Sequence, residues 1–272
     1  MQFLHYRPQA PLGDFVDLLW LCQGAVYAHQ FERLLPDTTM ELVVNLHQDR
    51  IYLYDPASLQ VCGVAPGAII SGPRSRYFVI DTRDQIAVMG AHFRPAGAFP
   101  FFRVPPSELA DQTVALDALW AGGAAELRER LLASPTPAQK FRVFEACLQK
   151  QLARPLERHP AVGFGIEQLR LAGGRTVAQV VDQVGLSQRH FIQLFDQQVG
   201  LTPKVFGRVS RFQRVVQTVH KANEIDWAGL ALDCGYYDQA HFIHDFQEFS
   251  GITPTAYLLQ RTEHLNHVPL AA

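Results

Sequence analysis

The sequence predicts a multidomain α+β chain. A β-rich N-terminal domain of the antiparallel barrel or sandwich kind, with trailing helices, precedes an all-α C-terminal domain built on two helix-turn-helix units. Three observations predict this. Short strand-like runs recur at about ten-residue spacing between residues 41 and 94. Helical periodicity replaces them after Pro105-Pro106. One phrase then occurs twice, as Gly200-Leu201-Thr202-Pro203 and Gly251-Ile252-Thr253-Pro254, each time closing a helix-turn-helix pattern. A length of 272 residues agrees with two domains, and 48% hydrophobic with 18% charged residues describes an ordinary globular chain.

Taking the elements in order, residues 12–21 read equally as a strand or a short helix. Strands are expected at residues 41–46, 50–54, 68–71, 77–81 and 86–94. They are separated by turn signals at His47-Gln48-Asp49, Asp55-Pro56, Ser71-Gly72-Pro73 and Thr82-Arg83-Asp84. If such a barrel holds a ligand, alternate strand residues line it. Trp20, Tyr52, Tyr54, His92 and Arg94 are the ligand-binding candidates, with Val79 and Met89 beside them, and Arg74 or Arg94 suits a carboxylate or phosphate. Ordinary core and surface roles compete with this reading at every one of these positions. Beyond the barrel, Ser107 is read as the cap of a helical run through Leu109, Leu116, Leu119 and Trp120. Gly122-Gly123 interrupts it, residues 126–132 continue it, and Pro135-Thr136-Pro137 opens a helix with Phe141, Phe144, Leu148 and Leu152 on one stripe.

In the first C-terminal unit, Thr176 caps the run Val177, Val180, Val181 and Val184. Gly185 makes a turn needing positive φ, Ser187 caps a second helix carrying Phe191, Leu194, Phe195 and Val199, and Gly200 stops it. The second unit repeats the plan. Ile225 and Trp227 lead into Leu230, Ala231 and Cys234, Gly235-Tyr236-Tyr237 turns, Asp238 caps a helix with Phe242, Phe246 and Phe249, and Gly251 stops that helix. Thr-Pro after each closing glycine restarts a helix. The first restart runs over residues 203–222, about 30 Å at 1.5 Å per residue, close to the roughly 34 Å between successive major-groove faces. The domains so defined are residues 1–153 (β-rich 1–104, helical 105–153), a linker at 154–160, and a DNA-binding domain at 161–262. Its units are 176–200 and 225–251, joined by 203–222.

The order helix-turn-helix, Leu-Thr-Pro, long helix, Gly-Tyr-Tyr-Asp-Gln, His-Phe-Ile-His-Asp-Phe, Gly-Ile-Thr-Pro and Tyr257 resembles the C-terminal DNA-binding domain of AraC/XylS transcriptional regulators, over residues 161–260. The resemblance implies binding of double-stranded promoter DNA through both units, contact with RNA polymerase, and activation more often than repression in a bacterial cell. It also implies an N-terminal, cupin-like domain that senses a small-molecule effector, followed by helices that pair two subunits. Residues 137–153 are then the candidate dimerisation helix, although their stripe is equally suited to packing on its own domain.

By position in the family motif, the base-contacting residues are Gln188, Arg189, Ile192 and Gln193 in the first unit, and Gln239, Ala240, Ile243 and His244 in the second. Arginine reads guanine and glutamine reads adenine in the major groove. Gln193 and Asp196 stand where the family usually has or often has a basic residue, and His244 replaces a usual arginine. The net charge of −2 conceals an asymmetry. Residues 186–221 carry Arg189, Lys204, Arg208, Arg211, Arg214 and Lys221 against Asp196, whereas residues 222–260 hold six acidic residues and neither Lys nor Arg. Lys204, Arg208, Arg211 and Arg214 are accordingly the expected phosphate contacts. The second unit is expected to read weakly or to have turned toward RNA polymerase.

No catalytic residue, metal or cofactor is expected. The four cysteines lack CxxC spacing, and His5, His29, His47 and His92 do not form the His-x-His pattern of metal-binding cupins. His241 and His244 lie one helical turn apart without a further ligand pair. With neither an 18-residue apolar run nor a signal-peptide pattern at Met1-Gln2-Phe3-Leu4-His5, a cytoplasmic protein is expected, with no membrane partner. The alternatives are a cupin-like enzyme with a DNA-binding tail, and an interaction module whose acidic second unit has stopped reading DNA.

Overall fold

A computed structural model describes residues 2–171, 173–222 and 224–270. The N-terminal domain contains β1 (Gln2–Tyr6), β2 (Val16–Gln23), β3 (Phe31–Leu34), β4 (Glu41–Asn45), β5 (Arg50–Tyr54), β6 (Val61–Pro66), β7 (Ala68–Ser71), β8 (Phe78–Asp81), β9 (Ala87–Phe93) and β10 (Thr113–Ala115). Helices α1 (Asp117–Trp120), α2 (Gly123–Leu132) and α3 (Pro137–Lys150) follow. The main sheet is antiparallel with strand order β1-β2-β9-β4-β7-β10, and β5 pairs with β6 as a hairpin.

Strand alternation gives this sheet two different faces. Leu19, Leu21, Leu42, Val44, Ile70 and Met89 point one way and form a core with Leu127 and Leu131 of α2 and Phe144 and Leu148 of α3. Trp20, Glu41, Val43, Ile69, Ser71 and His92 point the other way and line a cavity of about 550 Å³. Met89, read as a lining candidate, therefore belongs to the helix-side core.

Residues 12–21 contain both alternatives, a 3-10 turn at Leu12–Asp14 and then β2. The helical run expected from Ser107 does not form. A 3-10 turn at Pro106–Leu109, with no side-chain cap, leads instead into β10, whose residues pair with Ile69, Ile70 and Ser71. The apolar spacing of Leu109, Leu116 and Trp120 reflects burial from three different local conformations. Helix α3 begins as expected with a capping box between Thr136 and Gln139. Its Phe141, Phe144 and Leu148 are buried on this chain's own sheet, so most of the stripe expected to pair two subunits is already covered, while Leu152, beyond the helix end, is exposed.

The C-terminal domain comprises α4 (Pro160–Arg170), α5 (Val177–Val184), α6 (Gln188–Val199), α7 (Pro203–Lys221), α8 (Trp227–Asp233), α9 (Gln239–Ser250) and α10 (Pro254–Gln260). Thr176, Ser187, Thr202, Asp238 and Thr253 each accept a bond from the first turn they cap. Gly185, Gly200, Gly235 and Gly251 all have positive φ. Helix α7 is 19 residues long, and no helix among the described residues is long and apolar enough to cross a membrane.

The segments on either side of the C-terminal domain tie it to the N-terminal one. The linker at 154–160 is anchored: Arg154 lies over Phe99 and donates to the carbonyls of Phe99, Phe102 and Arg103. Beyond α10 the chain returns to the N-terminal domain as β11 (His267–Pro269), paired antiparallel with β3 in a β11-β3-β8 sheet.

Candidate nucleic-acid interface and ligand cavity

Each reading unit is a trihelical core that aims one helix outward. Phe191, Phe195 and Val199 of α6 bury against α4, α5 and Phe206, leaving Gln188, Arg189 and Gln193 exposed and Ile192 half-buried. In α9, Phe242, Phe246 and Phe249 pack on Phe212 and Tyr257, which turns Gln239, Ala240 and His244 out to solvent and leaves Ile243 half-buried. The eight positions thus lie on the two N-terminal helix halves that a helix-turn-helix presents to base edges.

The connecting helix is different from a free basic rail. Arg208 lies 2.7 Å from Asp245 and 2.6 Å from Glu248, over the ring of Phe249. These bonds lower the Glu248 pKa below the usual carboxylate range. Arg211 donates to the Gly235 carbonyl and covers Tyr236, while Arg214 donates to the carbonyls of Arg170 and Cys234. Three of the four residues expected on phosphates therefore have their guanidinium groups engaged inside the domain. Lys204, Arg189 and Lys221 are exposed and make no ion pair among the described residues. His244, Asp245 and Glu248 bring ligand-type atoms within 4.8 Å of one another, but both carboxylates are already paired with Arg208.

In the N-terminal cavity, Trp20, Tyr52 and His92 are lining residues, as is Val79. Tyr54 is not: it lies in a neighbouring depression and donates to Asp81 at 3.0 Å. Arg94 is also outside, bonded to the Gly13 carbonyl and paired with Asp17 at 2.9 Å. Two acidic residues that pattern reading missed surround His92. Glu41 lies 3.7 Å and Asp37 4.0 Å from its ring nitrogens, and Trp20 donates to Glu41 at 2.7 Å. Burial works against a charged His92, yet Glu41, Asp37 and Asp17 outweigh it and raise its pKa to about 9. Arg74, also lining, bonds the Ser71 hydroxyl at 3.3 Å and the Thr113 hydroxyl, and lies over Phe78. Burial pushes its pKa down to about 10. Residues 263–267 of the returning tail complete the wall.

Comparison with known proteins bears on the C-terminal domain. Residues 180–260 match the family model described as a helix-turn-helix domain. A curated relative from Haemophilus influenzae, an uncharacterized HTH-type transcriptional regulator, is 27% identical over 81 residues. The C-terminal domain is an AraC-type helix-turn-helix domain. The match covers 30% of this chain and spans only 27% of the relative's length. Residues 4–115 match a family described as a domain of unknown function. Among solved structures, a DNA-binding transcriptional dual regulator from Escherichia coli K-12 is 19% identical and covers 38% of this chain and 100% of its own, with a TM-score of 0.33. Unsaturated-fatty-acid-bound ToxT from Vibrio cholerae is 9% identical, covering 90% of this chain and 96% of its own, with a TM-score of 0.48.

The AraC-type domain rests on the N-terminal domain by its own repeat. The closing glycines of both units lie against one loop, residues 73–77. A Cβ on Gly200 falls 2.6 Å from Pro73 Cγ, and one on Gly251 falls 2.5 Å from Tyr77 Cε1. Tyr77 N–H also donates to the Phe249 carbonyl at 2.9 Å. Between these two contacts, the same loop places Arg74 in the cavity wall. A second bridge runs through residues 35–37. Leu35 joins the core of the second unit, the Pro36 carbonyl accepts from Gln213 of α7 at 2.7 Å, and Asp37 lines the cavity beside His92. No feature of strand or helix periodicity encodes these contacts, because they join segments more than a hundred positions apart.

Proposed function

We propose that this chain is a sequence-specific DNA-binding regulator whose two helix-turn-helix units enter adjacent major grooves and whose grip is set by a small molecule in the N-terminal cavity. The observation that carries the reading is the shared loop: residues 73–77 touch both closing glycines and supply Arg74 to the cavity wall. A ligand that moves Arg74 moves the common support of both reading helices. The N-terminal halves of α6 and α9 point away from that support and stay open to DNA.

The first unit supplies most of the affinity in this reading. Arg189 and Gln193 suit guanine and adenine edges, and Lys204 adds a phosphate contact. The second unit offers Gln239 and His244 but keeps Glu248 on the same exposed stretch, so it reads fewer bases and gains little from phosphate. With Arg208, Arg211 and Arg214 engaged internally and Arg189 given to a base edge, the exposed Lys204 and Lys221 leave about two phosphate contacts per chain, which corresponds to a slope of log K against log salt of about −2. Selection of binding sites from random duplexes at two salt concentrations tests this. The outcome expected is a site spanning two adjacent major grooves with a slope near that value, and a slope near zero overturns the DNA-binding reading.

A further inference from the structure

Apart from Asp84 and the tail residues Glu263, His264 and His267 in its wall, the charged groups of the cavity fall into two clusters that are each unbalanced in charge. Residues Glu41 and His92 are cross-strand partners on β4 and β9, Glu41 is in turn opposite Ser71 on β7, and Ser71 is opposite Thr113 on β10. The four therefore form one row across the sheet, on the cavity face, with neighbours about 4.8 Å apart. At one end of the row, two carboxylates face a single imidazolium, because Asp37 and Glu41 both adjoin His92. Asp17, the next carboxylate, is already paired with Arg94. That end holds one negative charge in excess.

At the other end Arg74 lies over Ser71 and Thr113 and is bonded to both hydroxyls. No carboxylate lies within 4 Å of it among the described residues, and Asp111, whose charge favours its ionised form, is bonded to Ser75 instead, so the guanidinium has no direct ionic partner. Arg74 makes no ion pair with Glu41 or Asp37 among the described residues, so both excesses remain open to the cavity. An ammonium and a carboxylate carried on one carbon are about 3 Å apart. A ligand that carries both groups meets the two excesses together, each through a charge-assisted hydrogen bond. Either charge alone leaves the opposite excess half-buried and uncompensated, which is the costlier arrangement. Around this polar row the walls are apolar, with Ile51, Leu53, Ile69, Phe78 and Val88 among the lining residues. A cavity of about 550 Å³ calls for a large side chain to fill that space.

We propose that the cavity binds a free amino acid with a bulky apolar side chain, its carboxylate on Arg74 and its ammonium on Glu41 and Asp37. The proposal rests on the effector reading above and adds the ligand's chemical class. Both anchoring segments also touch the DNA-binding domain, residues 35–37 at α7 and residues 73–77 at the closing glycines, so a zwitterion drawn between them bears on both contacts at once.

The test is calorimetric titration and thermal shift of the full chain with leucine, phenylalanine and tryptophan. Two single-charge analogues, 3-phenylpropionate and phenethylamine, complete the series. At least one of the amino acids is expected to bind, at least ten-fold tighter than either analogue. Arg74→Gln and Glu41→Gln are each expected to weaken it ten-fold or more, and Arg74→Lys less than Arg74→Gln, which separates loss of charge from loss of fold. Equal or tighter binding of a single-charge analogue overturns the zwitterion proposal while leaving the effector reading in place. Absence of binding by all five compounds overturns the proposal, and the effector reading then loses its support in this cavity.

Discussion

His92 is the side chain whose charge the fold controls most directly. Its pKa is raised to about 9 by Glu41, Asp37 and Asp17, against the opposing effect of burial. A group raised in the folded state contributes stability that is complete below its unfolded value, about 6.5, and is lost as pH climbs through the folded value. The chain is therefore expected to lose up to roughly 3 kcal/mol between pH 6.5 and 9.5 from this residue alone. His92→Gln should flatten that part of the pH–stability curve, measured by urea unfolding, and an unchanged slope in the variant contradicts the assignment. Reading single residues from sequence worked where the signal was local. Ser187, Thr202, Asp238 and Thr253 cap as their positions imply. It did not reach the partners of Arg208, Arg211 and Arg214, since a charge count registers a guanidinium but not the Asp245 carboxylate or Gly235 carbonyl that the fold brings to it.

Among the elements, the closing turns have a second task that their sequence does not show. Gly185, Gly200 and Gly251 all carry positive φ, for which any other residue is strained by about 1–2 kcal/mol. Only the latter two meet the N-terminal domain; a Cβ on Gly185 meets nothing within 4 Å. Gly185→Ala is thus expected to show backbone strain alone, and Gly251→Ala to cost about 1–2 kcal/mol more through its clash with Tyr77. In a Tyr77→Ala background that excess should vanish. Chemical denaturation of the four variants reads this directly, and equal costs at Gly185 and Gly251 argue against the docking contact. Strand existence was legible where a short apolar run lay between turn signals, as at residues 50–54 and 68–71. Strand β3 (Phe-Glu-Arg-Leu) was not, because Glu32 is buried between His29 and His267, each 2.7 Å away. Burial disfavours the Glu32 charge, but His267 and His29 outweigh it and its pKa is lowered. A partner 235 positions distant lies outside any sequence window.

For the whole molecule, the two units are alike in fold and unlike in surface. The repeat, the two domains and the outward faces of α6 and α9 were all legible, since each follows from periodicity and capping. The mounting of both units on residues 73–77, and the return of the tail to wall the cavity, depend on tertiary contacts and were not. The central claim, two unequal reading helices on one shared support, is tested most directly by fluorescence-anisotropy titration of the selected duplex at low salt with Arg189→Ala and His244→Ala. Loss of a guanine contact of about 1–3 kcal/mol predicts a 5- to 150-fold weakening for Arg189→Ala, against a change of less than about three-fold for His244→Ala. Equal weakening by the two substitutions contradicts the account.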